Sequence, residues 1–297
     1  MRNFKSLSAG DKIFYTVSTI LLTIFFLLVL YPIIFTLSSS FSSGSAVSSG
    51  KVVFLPVEPS LEGYKIVFNN NDVLTGFKNS IIILVIATSI NIILTMTAAY
   101  ALSRDDLPGA GAIMLLFTFT MFFGGGMIPN YLLIKDLGML DTKLALIVPG
   151  AIGVYNLIVA RTFIKSNVPN ELLEASQIDG CGDFTFFIRM VLPLSKAVIA
   201  VLVLFYAVGH WNVYFNAMLY LRDRNQITLP MVLKEILIAN QIDPSTVSDP
   251  ELQMKIAQTA DVIKYALIVV TMLPIVMIYP FIQKYFVKGV MIGAVKG

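Results

Sequence analysis

The sequence predicts an all-α polytopic membrane protein with six transmembrane helices. Three observations support this fold class: 57% of the 297 residues are hydrophobic, only 13% are charged, and the mean hydropathy is +0.81. Soluble domains carry about twice that share of charge, because water must wet their surface. The solvent around most of this chain is therefore predicted to be lipid.

Six long uncharged windows interrupt the charged residues. A bilayer core needs about 20 apolar residues per helical crossing, and backbone groups in lipid must be bonded within the segment. The first window follows Arg2, Lys5 and Lys12, but it is longer than the core of a secretory signal, so we expect it to be retained. The predicted spans are residues 13–37, 79–103, 107–134, 144–163, 197–221 and 265–283, and together they make residues 1–297 one transmembrane domain.

The charge distribution predicts that both termini lie in the cytoplasm. With that orientation, the cytoplasmic pieces hold eleven Lys and Arg against seven Asp and Glu, and the outer pieces hold ten against eleven. Positive charge prefers the cytoplasmic side. The soluble segments are then residues 38–76 and 222–264 outside, and residues 164–196 inside.

The two outer segments differ in pattern. Residues 38–50 are rich in Ser and Gly, and Pro56 and Pro59 follow, which predicts a partly extended loop with little core of its own. Residues 229–237 are mostly apolar, and a polar stretch follows them at residues 240–250. This pattern suits a short amphipathic helix on the outer surface, which is a candidate docking face.

Composition excludes several kinds of chemistry. One Cys and one His cannot supply a zinc site, an iron–sulfur cluster or a disulfide framework. A net charge of +3 without a basic stripe argues against a nucleic-acid partner. Gly124–Gly126 lack the Lys and Ser or Thr of a phosphate loop, so close helix packing or an unwound helix end is the better interpretation. We expect no metal and no cofactor in this chain.

The cytoplasmic segment carries local helix signals. Asn170 can cap a helix, Glu171 and Glu174 suit its positive N-terminal end, and Gly180 can end it in the left-handed conformation. A second amphipathic piece spans residues 184–192, before Pro193. Without further information, this pattern also fits a helical hairpin that rests on the lipid headgroups.

The same segment resembles the EAA loop of bacterial ABC importer permeases, whose pattern is E-A-A-x3-G-x9-I-x-L-P. Glu174, Ala175, Gly180, Leu192 and Pro193 match at the required spacing. The chain departs from the pattern with Ser176 for Ala and Met190 for Ile, which are small changes that a helix-packing site can absorb.

Other stretches extend the resemblance over the whole chain. Residues 100–104, Tyr-Ala-Leu-Ser-Arg, and Trp211-Asn212 are similar to the carbohydrate-uptake (MalG-like) family of permeases. Residues 124–142 resemble a subgroup used for complex oligosaccharides released from polysaccharides.

The resemblance implies a type I ABC importer permease fold in the bacterial plasma (inner) membrane. It implies three partners: a second permease subunit, a cytoplasmic ATPase dimer that binds ATP and Mg, and an extracellular sugar-binding protein. The resemblance favours a heterodimer of permeases, and the sequence leaves a homodimer open. In this family the loop inserts its helix into a cleft of the ATPase. Glu174 would pair with a basic group there, Gly180 would allow close approach, and Leu172 and Leu173 would pack in the groove. The implied ATPase-coupling residues are Glu171, Leu172, Leu173, Glu174, Ala175, Ser176, Asp179 and Gly180.

Polar and aromatic residues at membrane depth are candidates for the substrate pathway, because sugars are bound by aromatic faces and by amides. On one continuous helix, Trp211 and Tyr214 would share a face, and so would Asn212 and Asn216. The alternative is that Trp211 and Tyr214 belong to an aromatic belt and that the amides bond neighbouring helices. His210 has no acidic neighbour and is predicted to be a hydrogen-bonded packing residue. The candidate pathway residues are Trp211, Asn212, Tyr214, Asn216, Asn156 and Asn91, with Tyr155 beside them.

Three alternatives compete with this interpretation. An intramembrane enzyme is disfavoured, because it would need paired catalytic groups at membrane depth and the spans carry no Asp or Glu for this purpose. An ion-coupled carrier would need buried carboxylates and repeated halves, and the sequence shows neither. A permease for a substrate other than sugar stays open, because it would share the coupling loop. The first expectation is a transport subunit rather than an enzyme, because no nucleotide-binding motif is present.

Overall fold

The computed structural model describes residues 8–239 and 250–294, and these residues form helices with no strand among them. The chain divides into two compact units, residues 1–70 with 233–272 and residues 71–232 with 273–297. The α-helices are, in chain order, α1 Ala9–Ser40, α2 Gly44–Ser48, α3 Glu62–Asn69, α4 Asn71–Ser103, α5 Ala110–Phe122, α6 Met127–Asp136, α7 Leu144–Ile147, α8 Val154–Asn167, α9 Asn170–Ile178, α10 Asp183–Phe186, α11 Leu192–Leu194, α12 Lys196–Trp211, α13 Phe215–Tyr220, α14 Leu229–Ala239 and α15 Pro250–Ala294. A π-helical turn, Phe187–Val191, joins α10 to α11, and a 3-10 turn, Arg224–Gln226, precedes α14.

Three of the described helices are long and apolar enough to cross a membrane unbroken, Ala9–Ser40, Asn71–Ser103 and Gln258–Pro280. They coincide with the first, second and sixth predicted spans. Two bent pairs, α5 with α6 and residues 183–194 with α12, raise the number of crossings to as many as five by length and composition. All-helical architecture with several apolar helices is therefore confirmed, and a count of six crossings stays a prediction.

The third predicted span, residues 107–134, is wrong as a single helix. It is two helices, α5 and α6, bent by 113° at residues 123–126. Gly126 has φ +86°, a conformation that a residue with a Cβ adopts only with strain. No atom lies within 4 Å of a Cβ built on Gly124, so the unwound helix end, rather than close packing, explains the glycines.

The fourth and fifth predicted spans are also interrupted. The fourth consists of the single turn α7, an irregular stretch over residues 148–153 that contains Pro149, and then α8. The fifth breaks between Trp211 and Phe215, where no Pro or Gly stands. The argument that pairs Trp211 with Tyr214 and Asn212 with Asn216 is therefore wrong, because these residues do not lie on one continuous helix.

A polar network holds the irregular stretch between α7 and α8. Asn91, which is 0% exposed on α4, donates from Nδ2 to the carbonyl oxygens of Gly150 and Ala151, both at 2.8 Å. Its Oδ1 lies 2.7 Å from Nε2 of His210. This confirms that His210 is a hydrogen-bonded packing residue. The two carbonyls have left the helical ladder, and Asn91 replaces the donors that lipid lacks.

Tyr206 completes the network by accepting a hydrogen bond from a backbone N–H of the same irregular stretch. The backbone N–H of Gly153 donates to its phenol oxygen at 3.0 Å, and the same oxygen is 2.7 Å from Oγ1 of Thr95. Around it, α4, α8 and α12 pack a common core through Met96, Leu157 and Leu202. The three helices are thus joined both by apolar contacts and by bonds to one break in the backbone.

The segment that leads into α14 is hydrogen-bonded to the N-terminal part of α4. Asn79 donates from Nδ2 to the carbonyls of Asn225 and Ile227, at 2.8 and 2.9 Å, and the Leu229 N–H donates to Ser80 Oγ at 3.0 Å. The predicted amphipathic helix at residues 229–237 is confirmed as α14. Its place on the outer surface stays a prediction.

The first unit corrects the expectation for the segment after the first span. Residues 38–50 do not form a loop without a core: they include the end of α1 and all of α2, and Ala46 is 1% exposed. Ser38 donates from Oγ to the carbonyl of Phe54 at 2.7 Å, and the Val57 N–H donates to Ser42 Oγ at 3.0 Å. Serine hydroxyls that bond backbone groups of the returning chain give this segment its order.

We predict that Asn91→Leu destabilises the protein by about 1 to 3 kcal/mol, because two buried carbonyls lose their donor. Thermal unfolding in detergent should show a fall of a few degrees in Tm. The matched control is Asn212→Leu, since the Asn212 amide is exposed and bonds a carbonyl of its own helix, that of Val208 at 2.9 Å. Equal losses of Tm in the two variants would contradict the role given to Asn91.

Candidate functional site

The short helix predicted within residues 164–196 is present as α9. It ends as predicted at Gly180, which has φ +77°, and the Gly180 and Cys181 N–H groups donate to the carbonyls of Gln177 and Ser176 at 3.0 and 2.8 Å. The prediction that Asn170 caps the helix is wrong. Pro169 occupies the cap position without a side-chain bond, and Asn170 is the first helical residue.

The two faces of α9 have different environments. Leu173 is half-buried against the chain's own core, and Ser176 is 8% exposed, so the chain itself covers much of this inner face. Part of the Leu173 side chain stays accessible, and the expectation that it packs in a partner's groove stays a prediction. Ser176 fits where the family pattern has Ala, because its hydroxyl donates to the Leu173 carbonyl at 2.7 Å. The outer face consists of Glu171, Leu172, Glu174, Ala175, Asp179 and Gly180.

The outer face also carries an apolar residue that the sequence interpretation missed. Ile178, at the last position of α9, is 87% exposed, against 37% for Leu172. Its place one turn after Glu174 was the available signal. In the described part of the chain no cation pairs with Glu174. An unpaired carboxylate beside an exposed isoleucine suits a protein partner.

The second limb of the segment runs from Asp183 to Leu194 through the π-helical turn, and we call residues 170–194 the hairpin. This confirms the predicted second amphipathic piece, since Phe186 and Val191 are buried at 1% and 0% exposure. Pro193 does not end it. The chain instead turns by 80° at Ser195, whose buried hydroxyl has no partner among the described residues.

Charged residues fasten the hairpin to the end of α4. The Arg104 side chain is 13% exposed and pairs with Asp106 and with Asp183, the latter at 2.6 Å. Its N–H also donates to the Tyr100 phenol at 3.1 Å, and the Tyr100 ring stacks on Phe187 with centroids 5.2 Å apart. We call this group, residues 100–106 with Asp183 and Phe187, the latch.

A second ion pair supports the other limb. Lys165 pairs with Asp105 at 2.6 Å, and Asn170 donates to the other oxygen of Asp105 at 3.4 Å. The hydrogen bond from Lys165 lowers the pKa of the Asp105 carboxyl, as the bond from Arg104 lowers the pKa of Asp106. Both carboxylates therefore stay charged and keep their partners throughout the neutral range.

A groove of about 230 Å³ lies between the latch and α9. Glu174 and Gln177 line one side of it, and Arg104, Asp105 and Lys165 line the other. The hairpin is thus a supported element with an exposed outer face, rather than a loose loop.

A larger cavity of about 700 Å³ lies in the second unit, among α6, α7, α12 and α13. Its polar lining comes from Asn130, Tyr206, His210, Asn216 and Tyr220, and Phe205 and Phe215 add aromatic surface. Among the described residues that line it, none is Lys, Arg, Asp or Glu.

The cavity brings together only part of the predicted pathway set. Asn216 lines it, while Trp211, Asn212, Tyr214, Asn156 and Asn91 do not.

Trp211 is 1% exposed and meets Phe77 edge to face at 5.9 Å, so it belongs to the core and not to an aromatic belt. Tyr214 donates from its hydroxyl to Met218 sulfur at 3.1 Å, and Tyr155 is 56% exposed beside Phe205. Sequence reasoning missed Asn130 and Tyr220, which share the cavity only because the third and fifth spans are broken.

Comparisons with known proteins place the chain among transport components. Residues 107–292 match the family described as the binding-protein-dependent transport system inner membrane component. The chain is 40% identical over 276 residues to the polygalacturonan/rhamnogalacturonan transport system permease protein YtcP of Bacillus subtilis, covering 93% of this chain and 96% of the relative. It is 26% identical to the arabinooligosaccharides transport system permease protein AraQ of the same organism, over 95% of this chain and 98% of the relative. A chain in the crystal structure of a bacterial ABC transporter involved in the import of the acidic polysaccharide alginate superposes with a TM-score of 0.85 at 33% identity, covering 94% of this chain and 99% of that one.

We predict that Arg104→Gln loosens the hairpin. The Asp106 and Asp183 carboxylates lose their cation. The loss is moderated because both side chains are more than half exposed and can be hydrated instead. The expected result is about three- to tenfold faster hydrogen exchange of the amides of residues 183–194.

The control for this experiment is Arg189→Gln, which removes the same charge from an exposed position of the hairpin. Unchanged exchange in the Arg104 variant, or equal acceleration in both variants, would show that the latch does not stabilise the hairpin.

Proposed function

Because this chain belongs to the family of inner membrane components of binding-protein-dependent transport systems, we propose that it forms one half of the pathway of an ATP-driven sugar importer. It is an ABC importer permease of the inner membrane. In the proposal the chain crosses the membrane six times, with both termini inside. A second permease subunit, different from this one, supplies the other half.

The single observation that carries the coupling part of the proposal is the outer face of α9. It presents an unpaired Glu174 and an 87% exposed Ile178, while the inner face and the latch fasten the hairpin to α4 and α8. A partner ATPase dimer, which holds ATP and Mg, would bind the outer face of α9. Closure of the dimer would move the hairpin, and the hairpin would move the helices as a rigid body.

The coupling residues in this proposal are those of the outer face, Glu171, Leu172, Glu174, Ala175, Ile178, Asp179 and Gly180. Leu173 and Ser176 act from the inner face by seating the helix. Gly180 ends the helix without a side chain, so the partner's backbone can come close.

We predict that Ile178→Asp and Glu174→Ala each reduce transport-coupled ATP hydrolysis at least tenfold, because contacts at the centre of an interface dominate its energy. The measurement is ATPase activity of the complete importer in proteoliposomes, with and without sugar-loaded binding protein. Co-purification of the ATPase reports binding separately.

The matched control is Asp136→Ala, an exposed acid at the end of α6, which the proposed topology places outside. Normal stimulation in both hairpin variants would contradict the coupling assignment, and the interfacial hairpin would then be the better interpretation of residues 170–194.

The cavity supports the pathway part of the proposal. A saccharide is bound by aromatic surface together with amide and hydroxyl groups, and the cavity offers both, through Phe215, Tyr220, Asn130 and Asn216. Asn91 and Trp211 do not line the cavity. In the proposal they act indirectly, by positioning the helices that surround it. Sugar as the substrate class follows the polysaccharide and oligosaccharide systems to which the chain is similar.

We predict that Asn216→Trp blocks uptake, because an indole would fill part of the cavity. The measurement is uptake of labelled oligosaccharide into proteoliposomes that hold ATP inside. A drop of at least tenfold is expected, with ATPase binding unchanged. Ser89→Trp, at an exposed position of α4, is the control, and an equal drop there would contradict the pathway assignment.

A further inference from the structure

A charged group stands beside the cavity described above. Tyr220, which lines the cavity, stacks on Tyr131 with ring centroids 6.2 Å apart and 19° between the planes. The Tyr131 phenol oxygen accepts a hydrogen bond of 3.2 Å from the Arg222 guanidinium. We call Tyr131, Tyr220 and Arg222 the rim.

The backbone around Arg222 is fixed by Asp141. The Asp141 N–H donates to the Tyr220 carbonyl at 3.0 Å, and its carboxylate accepts from the N–H of Arg222 and, at 3.3 Å, from that of Asp223. Asp141 has φ +58°, which places this carboxylate beside residues 222 and 223 at the cost of a strained backbone. Arg222 therefore projects from an ordered support.

Arg222 and Arg224 differ in the groups that contact their guanidinium charges. Arg224 meets the Asp72 carboxylate through two N–H groups, at 3.1 and 2.7 Å. Arg222 is exposed, and over residues 8–239 and 250–294 no carboxylate forms an ion pair with its guanidinium. The guanidinium donates to the neutral Tyr131 phenol, which leaves most of its five N–H donors available to a ligand.

The cavity itself cannot match an acidic substrate. It offers amides, phenols and one imidazole but no cation from the residues that line it. A carboxylate bound in or beside an uncharged cavity needs a nearby cation, and a guanidinium binds carboxylate through a planar pair of hydrogen bonds.

We propose that the rim is a carboxylate-reading subsite, in which Arg222 binds the carboxylate of a uronic acid residue of the saccharide. Tyr131 is a positioning residue that holds the guanidinium, and Tyr220 links it to the cavity. The substrate class is thus an oligosaccharide that carries uronic acid units. This inference rests on the proposed function and adds its substrate chemistry.

The experiment measures initial uptake rates by the complete importer in proteoliposomes. The probes are trigalacturonate and the neutral trisaccharide obtained by reducing its carboxyl groups. Arg222→Gln should raise the KM for trigalacturonate about fivefold, the size of one exposed charge-assisted contact, with kcat nearly unchanged. The effect should shrink at high salt, because exposed charges are screened. Tyr131→Phe should raise the same KM by a smaller factor.

The control variant is Arg224→Gln, which removes an equal charge two residues along the chain, from the ion pair with Asp72, and should leave the KM within twofold. Three results would overturn the inference: equal KM changes in the two arginine variants, an equal change for the neutral trisaccharide, or wild-type uptake of the neutral sugar alone. Equal loss for both sugars would assign Arg222 to the docking of the binding protein instead. If the wild-type importer takes up neither sugar and no other oligosaccharide, the proposed function itself fails.

Discussion

The arrangement of the second unit depends on how the backbone groups at one break between helices are hydrogen-bonded. Between α7 and α8 the carbonyls of residues 150 and 151 and the N–H of Gly153 lie outside any helical ladder; in the proposed topology this break lies at membrane depth, where lipid offers no partner. Asn91 and Tyr206 supply the missing bonds from α4 and α12. The same side chains therefore allow the helix to be broken and bring three helices to one place.

The break has a functional value in the proposed importer. A continuous fourth helix would fill the space in which Val148, Pro149 and Gly150 now line the cavity. The unwinding at Gly124–Gly126 likewise turns α6 so that Asn130 reaches the cavity. Irregular backbone at membrane depth is tolerated where it lines a cavity, and here it creates the polar surface that apolar helices lack.

Much of this fold could be predicted from the sequence, because hydropathy and helix-ending residues act locally. The long helices α1, α4 and α15, the helix α9 and its end at Gly180 all follow from such local signals. The broken spans could not be predicted in the same way. The break after Trp211 has no Pro or Gly. The irregular stretch at residues 148–153 is stabilised by side chains that are distant in sequence, such as Asn91, which is 59 residues from Gly150. The candidate site divides similarly: the motif located the hairpin, but the partial burial of Leu173 and the exposure of Ile178 depend on packing against α4 and α8.

The π-helical turn at Phe187–Val191 sets the angular register of the hairpin. A π turn holds one residue more than an α turn, and one helical residue corresponds to a rotation of about 100°. Asp183, which precedes the turn, pairs with Arg104, and Val191, at the end of the turn, is buried in the core. The turn therefore fixes the rotation between a charged anchor and a core contact, and an insertion or deletion inside it would shift the two contacts out of phase while leaving the composition of the hairpin nearly the same.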